Sequence, residues 1–167
     1  QDSLRIMYEH AIDSIRHYTT DHSIIISPHW GGTMMVFSEF QPLSDTNLIY
    51  TFHSYDPIDF THQGFTWHSP FFPEGTTFPS GTDTTFFENW LYTGWDRLID
   101  WKATHQKPIF LGEFGVGSYC DSLSACNWME FTMTNVVQNN FSWFYWDWQW
   151  GFPMFQGNVV SEDSILP

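Results

Sequence analysis

In the stretch KPIFLGEFGVG a single carboxylate, Glu113, stands between two glycines where the apolar run 109–111 ends. Burying an unpaired carboxylate is costly, so an ionisable group at such a place has a partner or a job. Reactive side chains recur at equivalent places along the chain. His29 and Trp30 follow the apolar run III, His53 and Tyr55 follow NLIYTF, and Tyr145, Trp146 and Asp147 end FSWFYWDW. Taken alone, each histidine reads as a satisfied core or surface residue. Four apolar segments that each end in polar or aromatic groups are a stronger signal. In alternating strand–helix architectures the strand C-terminal ends share one face, and chemistry gathers there.

The elements that must position these groups follow from periodicity. Residues 2–18 carry Leu4, Met7, Tyr8, Ala11, Ile12 and Ile15 at helical spacing. The runs around 24–26, 47–54, 108–113 and 141–148 read as strands. They are near-continuously apolar, as strands of a parallel sheet covered on both sides are. Residues 83–105 and 126–138 read as helices, residues 34–40 as a weak helical or extended stretch, and 58–82 as a long aromatic loop. The order α, then β-α-β-α-β-α-β, predicts parallel strands joined by right-handed crossovers in one domain spanning 1–167.

Composition narrows the function. A net charge of −14 with only 5 Lys and Arg excludes a nucleic-acid surface and disfavours anionic membranes. An aromatic content of 20 %, with 10 Trp, implies a large aromatic core. Some of these tryptophans also suit flat platforms for sugars, whose C–H faces are apolar and whose edges are polar. No phosphate-binding glycine fingerprint, His-x-x-x-His metal pair or EF-hand loop is present, so neither metal nor cofactor is expected. Cys120 and Cys126 have too few neighbouring ligands for a zinc site. They fit equally a small disulfide loop or two free thiols.

Three motifs, NLIYTFHSYDPIDFTHQGFTW, PIFLGEFGVG and FSWFYWDWQWGFPMF, resemble the cellulase-type enzymes of glycoside hydrolase family 5, in that family's order and spacing. The resemblance covers nearly the whole chain. It implies that Glu113 is the catalytic nucleophile at the end of the seventh strand of a (β/α)8 barrel. His53 and Tyr55 match the sixth-strand pair around it, and Trp146 the eighth-strand tryptophan beneath the sugar. Trp30, with its neighbour His29, matches a fifth-strand aromatic position. His62 and Gln63, in the Phe-Thr-His-Gln-Gly motif, join the substrate-binding set. A retaining glycosidase needs a carboxylate poised to attack the anomeric carbon, and a tyrosine hydroxyl can hydrogen-bond it. The small glycines are then expected to let the backbone pass close to substrate.

The resemblance also implies what the chain lacks. The family's acid/base glutamate lies in an Asn-Glu-Pro segment on strand four, and no such segment occurs here. The chain reads as strands five to eight, an α/β half-barrel with two open edges. Those edges are expected to be completed by a missing N-terminal half or by a second copy in a homodimer. The expected substrate is a β-glucan or related polysaccharide, and the expected setting extracellular. A non-catalytic carbohydrate-binding half-barrel and an inactive fragment are the competing readings.

Overall fold

The computed structural model describes residues 2–80, 86–147 and 151–154. The element order is α1 (Asp2–Arg16), β1 (Ile24–Ile26), β2 (Leu48–Ser54), α2 (Ile58–Thr61), α3 (Phe86–His105), β3 (Ile109–Phe114), α4 (Ser122–Gln138) and β4 (Ser142–Trp143). Two 3-10 turns, Trp30–Gly32 and Met34–Glu39, join β1 to β2. The four strands form one parallel sheet in the order β1-β2-β3-β4. Sequential parallel strands with helical crossovers are the geometry of a strand–helix barrel segment, and four of them make half of an eight-stranded ring.

One face of the sheet is fully covered. Tyr50, Phe52, Leu111 and Phe114 point into a core with Phe37 of the second 3-10 turn, Leu91, Trp95, Leu98 and Trp101 of α3, and Trp128 of α4. The rings meet mostly edge to face, as at Phe37–Trp101 (5.2 Å) and Phe52–Trp95 (5.6 Å), the arrangement their quadrupoles favour. Two of the polar atoms buried with them find partners: Trp101 Nε1 donates to the Phe40 carbonyl, and Tyr50 Oη accepts from the Leu43 amide, while Trp95 Nε1 is buried without a partner among the described residues. Arg16, in the last turn of α1, reaches Asp45 with two nitrogens at 2.7 and 3.1 Å and ties the helix to the start of β2.

Several expectations change. The third helix starts at Ser122 rather than 126, because Asp121 caps it by accepting the Ser124 amide at 2.9 Å. The last strand pairs only over Ser142–Trp143. The run then leaves the ladder, and position 148 lies outside the described residues. Residues 83–85 of the expected second helix, 81–82 of the loop and most of the C-terminal tail also lie outside them. The aromatic core is smaller than composition implies: Trp95, Trp101 and Trp128 are buried, whereas Trp30, Trp67, Trp143 and Trp146 are exposed. The cysteines are free thiols. Cys120 is buried, its Sγ 3.1 Å from the Phe60 carbonyl, and burial pushes the thiol up to about 12, while Cys126 is exposed on α4.

Candidate active site

Glu113 reaches its position through a break in register. In the β2–β3 ladder Phe52 pairs with Leu111, but His53 pairs with Glu113, so Gly112 is an extra residue on β3. In a regular strand Leu111 and Glu113, two apart, would share the core face. The bulge turns Glu113 to the opposite, open face and returns Phe114 to the core, where it is 1 % exposed. Glycine is required at the bulge. A Cβ there would collide with Thr51 Oγ1 and meet the His53 ring in ordinary contact at 3.5 Å. A Cβ on Gly115 would strike the Trp146 carbonyl, and one on Gly117 would meet the Phe65 ring and the Thr61 carbonyl. These glycines therefore make room for neighbouring protein, which corrects the expectation that they make room for substrate.

On the open face Tyr55 Oη donates to Glu113 Oε2 at 3.1 Å. Burial first, and then the Glu113 charge, raise the tyrosine above its ordinary range, so it keeps its proton. His53 Nδ1 lies 3.7 Å from the same oxygen, beyond hydrogen-bond length. Burial lowers the His53 imidazole against the opposing pull of Glu113. Glu113 remains accessible, its side chain 36 % exposed. The result is a carboxylate oriented from one side by a neutral hydroxyl and a partly buried imidazole.

The neighbouring groove, about 490 Å³ in volume, is walled by His53 and Tyr55 together with Trp30, Thr33, Asp56, Ile58 and the α3 residues Phe86, Phe87 and Trp90. Trp30 is 73 % exposed and adopts φ +57°, a left-handed conformation uncommon for a bulky residue. Thr33, just after it, forms a parallel bridge with His53 and holds this loop against β2. His29 packs edge-on against Trp30, with its Nδ1 buried and unbonded. Trp146, 50 % exposed, is fixed beside β3 through its amide, which donates to the Phe114 carbonyl at 2.9 Å.

The sequence-assigned residues thus divide. Glu113, His53 and Tyr55 meet directly, and Trp30 lines the neighbouring groove with His53 and Tyr55. His62 is buried behind Tyr55, with ring centroids 5.3 Å apart, and its Nδ1 meets Thr61 Oγ1 at 2.9 Å. Burial lowers it to about 4, so it is a neutral packing and orienting ring. Gln63 is a correction. It is 1 % exposed, its Nε2 donates to the Phe60 and Thr76 carbonyls, and its Oε1 accepts the Gly75 and Thr76 amides. Its amide staples the long loop and offers no surface to a sugar. Tyr145 packs on Phe114 and donates to the Pro153 carbonyl rather than facing the groove. Sequence reasoning missed Asp56 and the α3 aromatics. Asp56 was readable as the residue after Tyr55 in HSYDP, whereas nothing local places Phe87 or Trp90 in the groove.

Residues 1–151 match the cellulase family, glycosyl hydrolase family 5. The chain belongs to this family. Endoglucanase 3 of Fibrobacter succinogenes is 24 % identical over an alignment of 179 positions that covers 90 % of this chain and 27 % of that protein. Endoglucanase H of Acetivibrio thermocellus is 31 % identical over 103 residues, 62 % of this chain and 10 % of that one. Among solved structures, a hyperthermophilic endo-β-1,4-glucanase in complex with substrate superposes with a TM-score of 0.80 at 27 % identity, over 94 % of this chain and 51 % of that chain. The cellulose synthase subunit Z of Clostridioides difficile gives 0.79 at 29 % identity, over 91 % and 50 %. The chain therefore spans about half the length of these solved structures, in keeping with four strands of an eight-stranded barrel.

Proposed function

We propose that this family 5 chain carries the nucleophile side of an endo-β-1,4-glucanase-type site that works with retention. The observation that supports it best is the Tyr55–Glu113 hydrogen bond at 3.1 Å on the open face, with His53 Nδ1 3.7 Å from the same oxygen. Tyr55 bonds Oε2 and His53 lies on the side of that same oxygen, and Oε1 is the oxygen we assign to attack. In the first step Oε1 bonds to the anomeric carbon of a β-linked glucosyl unit as the glycosidic C–O bond breaks, and the leaving oxygen takes a proton from a carboxylic acid. In the second step water replaces Glu113 at that carbon and returns a proton to the same acid/base group. Trp146 and Trp30 supply stacking surfaces for the sugar rings.

The acid/base carboxyl must lie about 5–5.5 Å from Glu113 in a retaining site. We place it on strands that pair with the open edges of β1 and β4, contributed by further sequence or by a second copy. Ile25 (56 % exposed) and Phe144 (67 %) on the open face are the apolar surface such strands would cover. The test is incubation of soluble cello-oligosaccharide with the protein, counting new reducing ends, alongside solution mass by light scattering. Glu113→Gln is expected to remove nearly all turnover with an unchanged circular dichroism spectrum. Equal turnover in the folded variant would refute the nucleophile assignment. Tight binding without turnover in the unaltered chain would favour the binding-module reading.

A further inference from the structure

The groove beside Glu113 contains a carboxyl that the reaction above does not use. Asp56 follows Tyr55 directly, and its backbone carbonyl accepts Trp128 Nε1–H at 2.8 Å, which pins this position to α4. Its side chain lines the groove with Trp30, His53, Tyr55 and Trp90. The ion pairs among the described residues do not include it, and no hydrogen-bond donor among them reaches its carboxyl. A half-buried acid without a partner, set in an aromatic wall, is an expensive feature unless a ligand completes it. Aromatic walls take the C–H faces of a sugar, and the few polar groups among them fix its orientation.

We propose that Asp56 is a specificity-determining contact, its carboxyl hydrogen-bonding a hydroxyl of a hexose unit seated along Trp30 and Trp90, next to the unit presented to Glu113. This rests on the glucanase reading and names a further residue of the same site. The groove's volume of about 490 Å³ falls within the usual range for small-ligand sites. Burial, reinforced by the negative charge of Asp59, pushes the Asp56 carboxyl up to about 7. At neutral pH it is therefore present with and without its proton, and can donate to a sugar hydroxyl or accept from one.

Calorimetric titration of the full chain with cellotetraose tests this. Asp56→Ala is expected to weaken binding about tenfold, the loss of one hydrogen bond in a desolvated site. Asp56→Asn, which can still donate and accept, is expected to stay within about threefold. Asp56→Leu, branched at Cγ like aspartate but apolar, replaces the alanine variant if that one fails to fold. Unchanged affinity in the Ala or Leu variant overturns the proposal and leaves the glucanase reading standing. An equal loss in Asn and Ala also overturns it, because hydrogen bonding would then not be what Asp56 provides. Absence of cello-oligosaccharide binding by the unaltered chain overturns both.

Discussion

The two faces of the sheet are built to different standards of completeness. The core face is closed: Phe52, Leu111 and Leu91 are 0 % exposed under α3 and α4. The opposite face leaves Ile25 and Phe144 more than half exposed and holds Glu113, His53 and, at its end, Tyr55. The closed face carries the packing of this half, and the open face carries the proposed site. Gly112 divides the two roles, because its bulge alone decides on which side of β3 Glu113 emerges.

The sharpest way to break this comparison is to empty a position on each face. Phe52→Ala is expected to cost about 3–5 kcal/mol in urea unfolding, from lost burial and a cavity among close-packed rings. Phe144→Ala, on the open face, is expected to stay within about 0.5 kcal/mol. Similar losses at both positions would mean that the open face is already covered in solution.

The bulge itself comes next. Gly112→Ala drives a methyl into Thr51 and is expected to destabilise by about 1–3 kcal/mol, as overpacking does, and to lower turnover by displacing Glu113. Thr51→Ala in the same chain removes the colliding hydroxyl, which has no partner among the described residues, and is expected to recover part of both losses. No recovery in the double variant would remove Thr51 as the reason for the glycine. At Trp146, replacement by alanine is expected to weaken oligosaccharide binding by about 1–3 kcal/mol, as for other aromatic anchors, and to leave the melting temperature in place. Equal affinity would return Trp146 to packing.

The sequence made much of this arrangement legible. Apolar runs bounded by Pro and Gly located all four strands, and the groups after two of them located the face on which Glu113, His53 and Tyr55 meet. The bulge could not be read, because GEFG looks like a regular strand end until its partner strand is known. Gln63 was misassigned for a related reason. A motif gives residue types without saying which way each points, and the buried amide turns inward to hold Gly75 and Thr76. The third helix was read four residues short because Asp121 and Ser124 look like polar loop until recognised as a cap. The α3 wall of the groove depends on tertiary packing alone.

The central claim is that Glu113 attacks the sugar. A 2,4-dinitrophenyl 2-deoxy-2-fluoro-β-cellobioside addresses it without the acid/base partner, because dinitrophenolate leaves unprotonated and the fluorine slows release of the glycosyl-enzyme. Peptide mass spectrometry after incubation is predicted to find one fluoroglycosyl group on Glu113, with no label in Glu113→Gln. A label on any other carboxylate, or equal labelling of the Gln variant, would contradict the account.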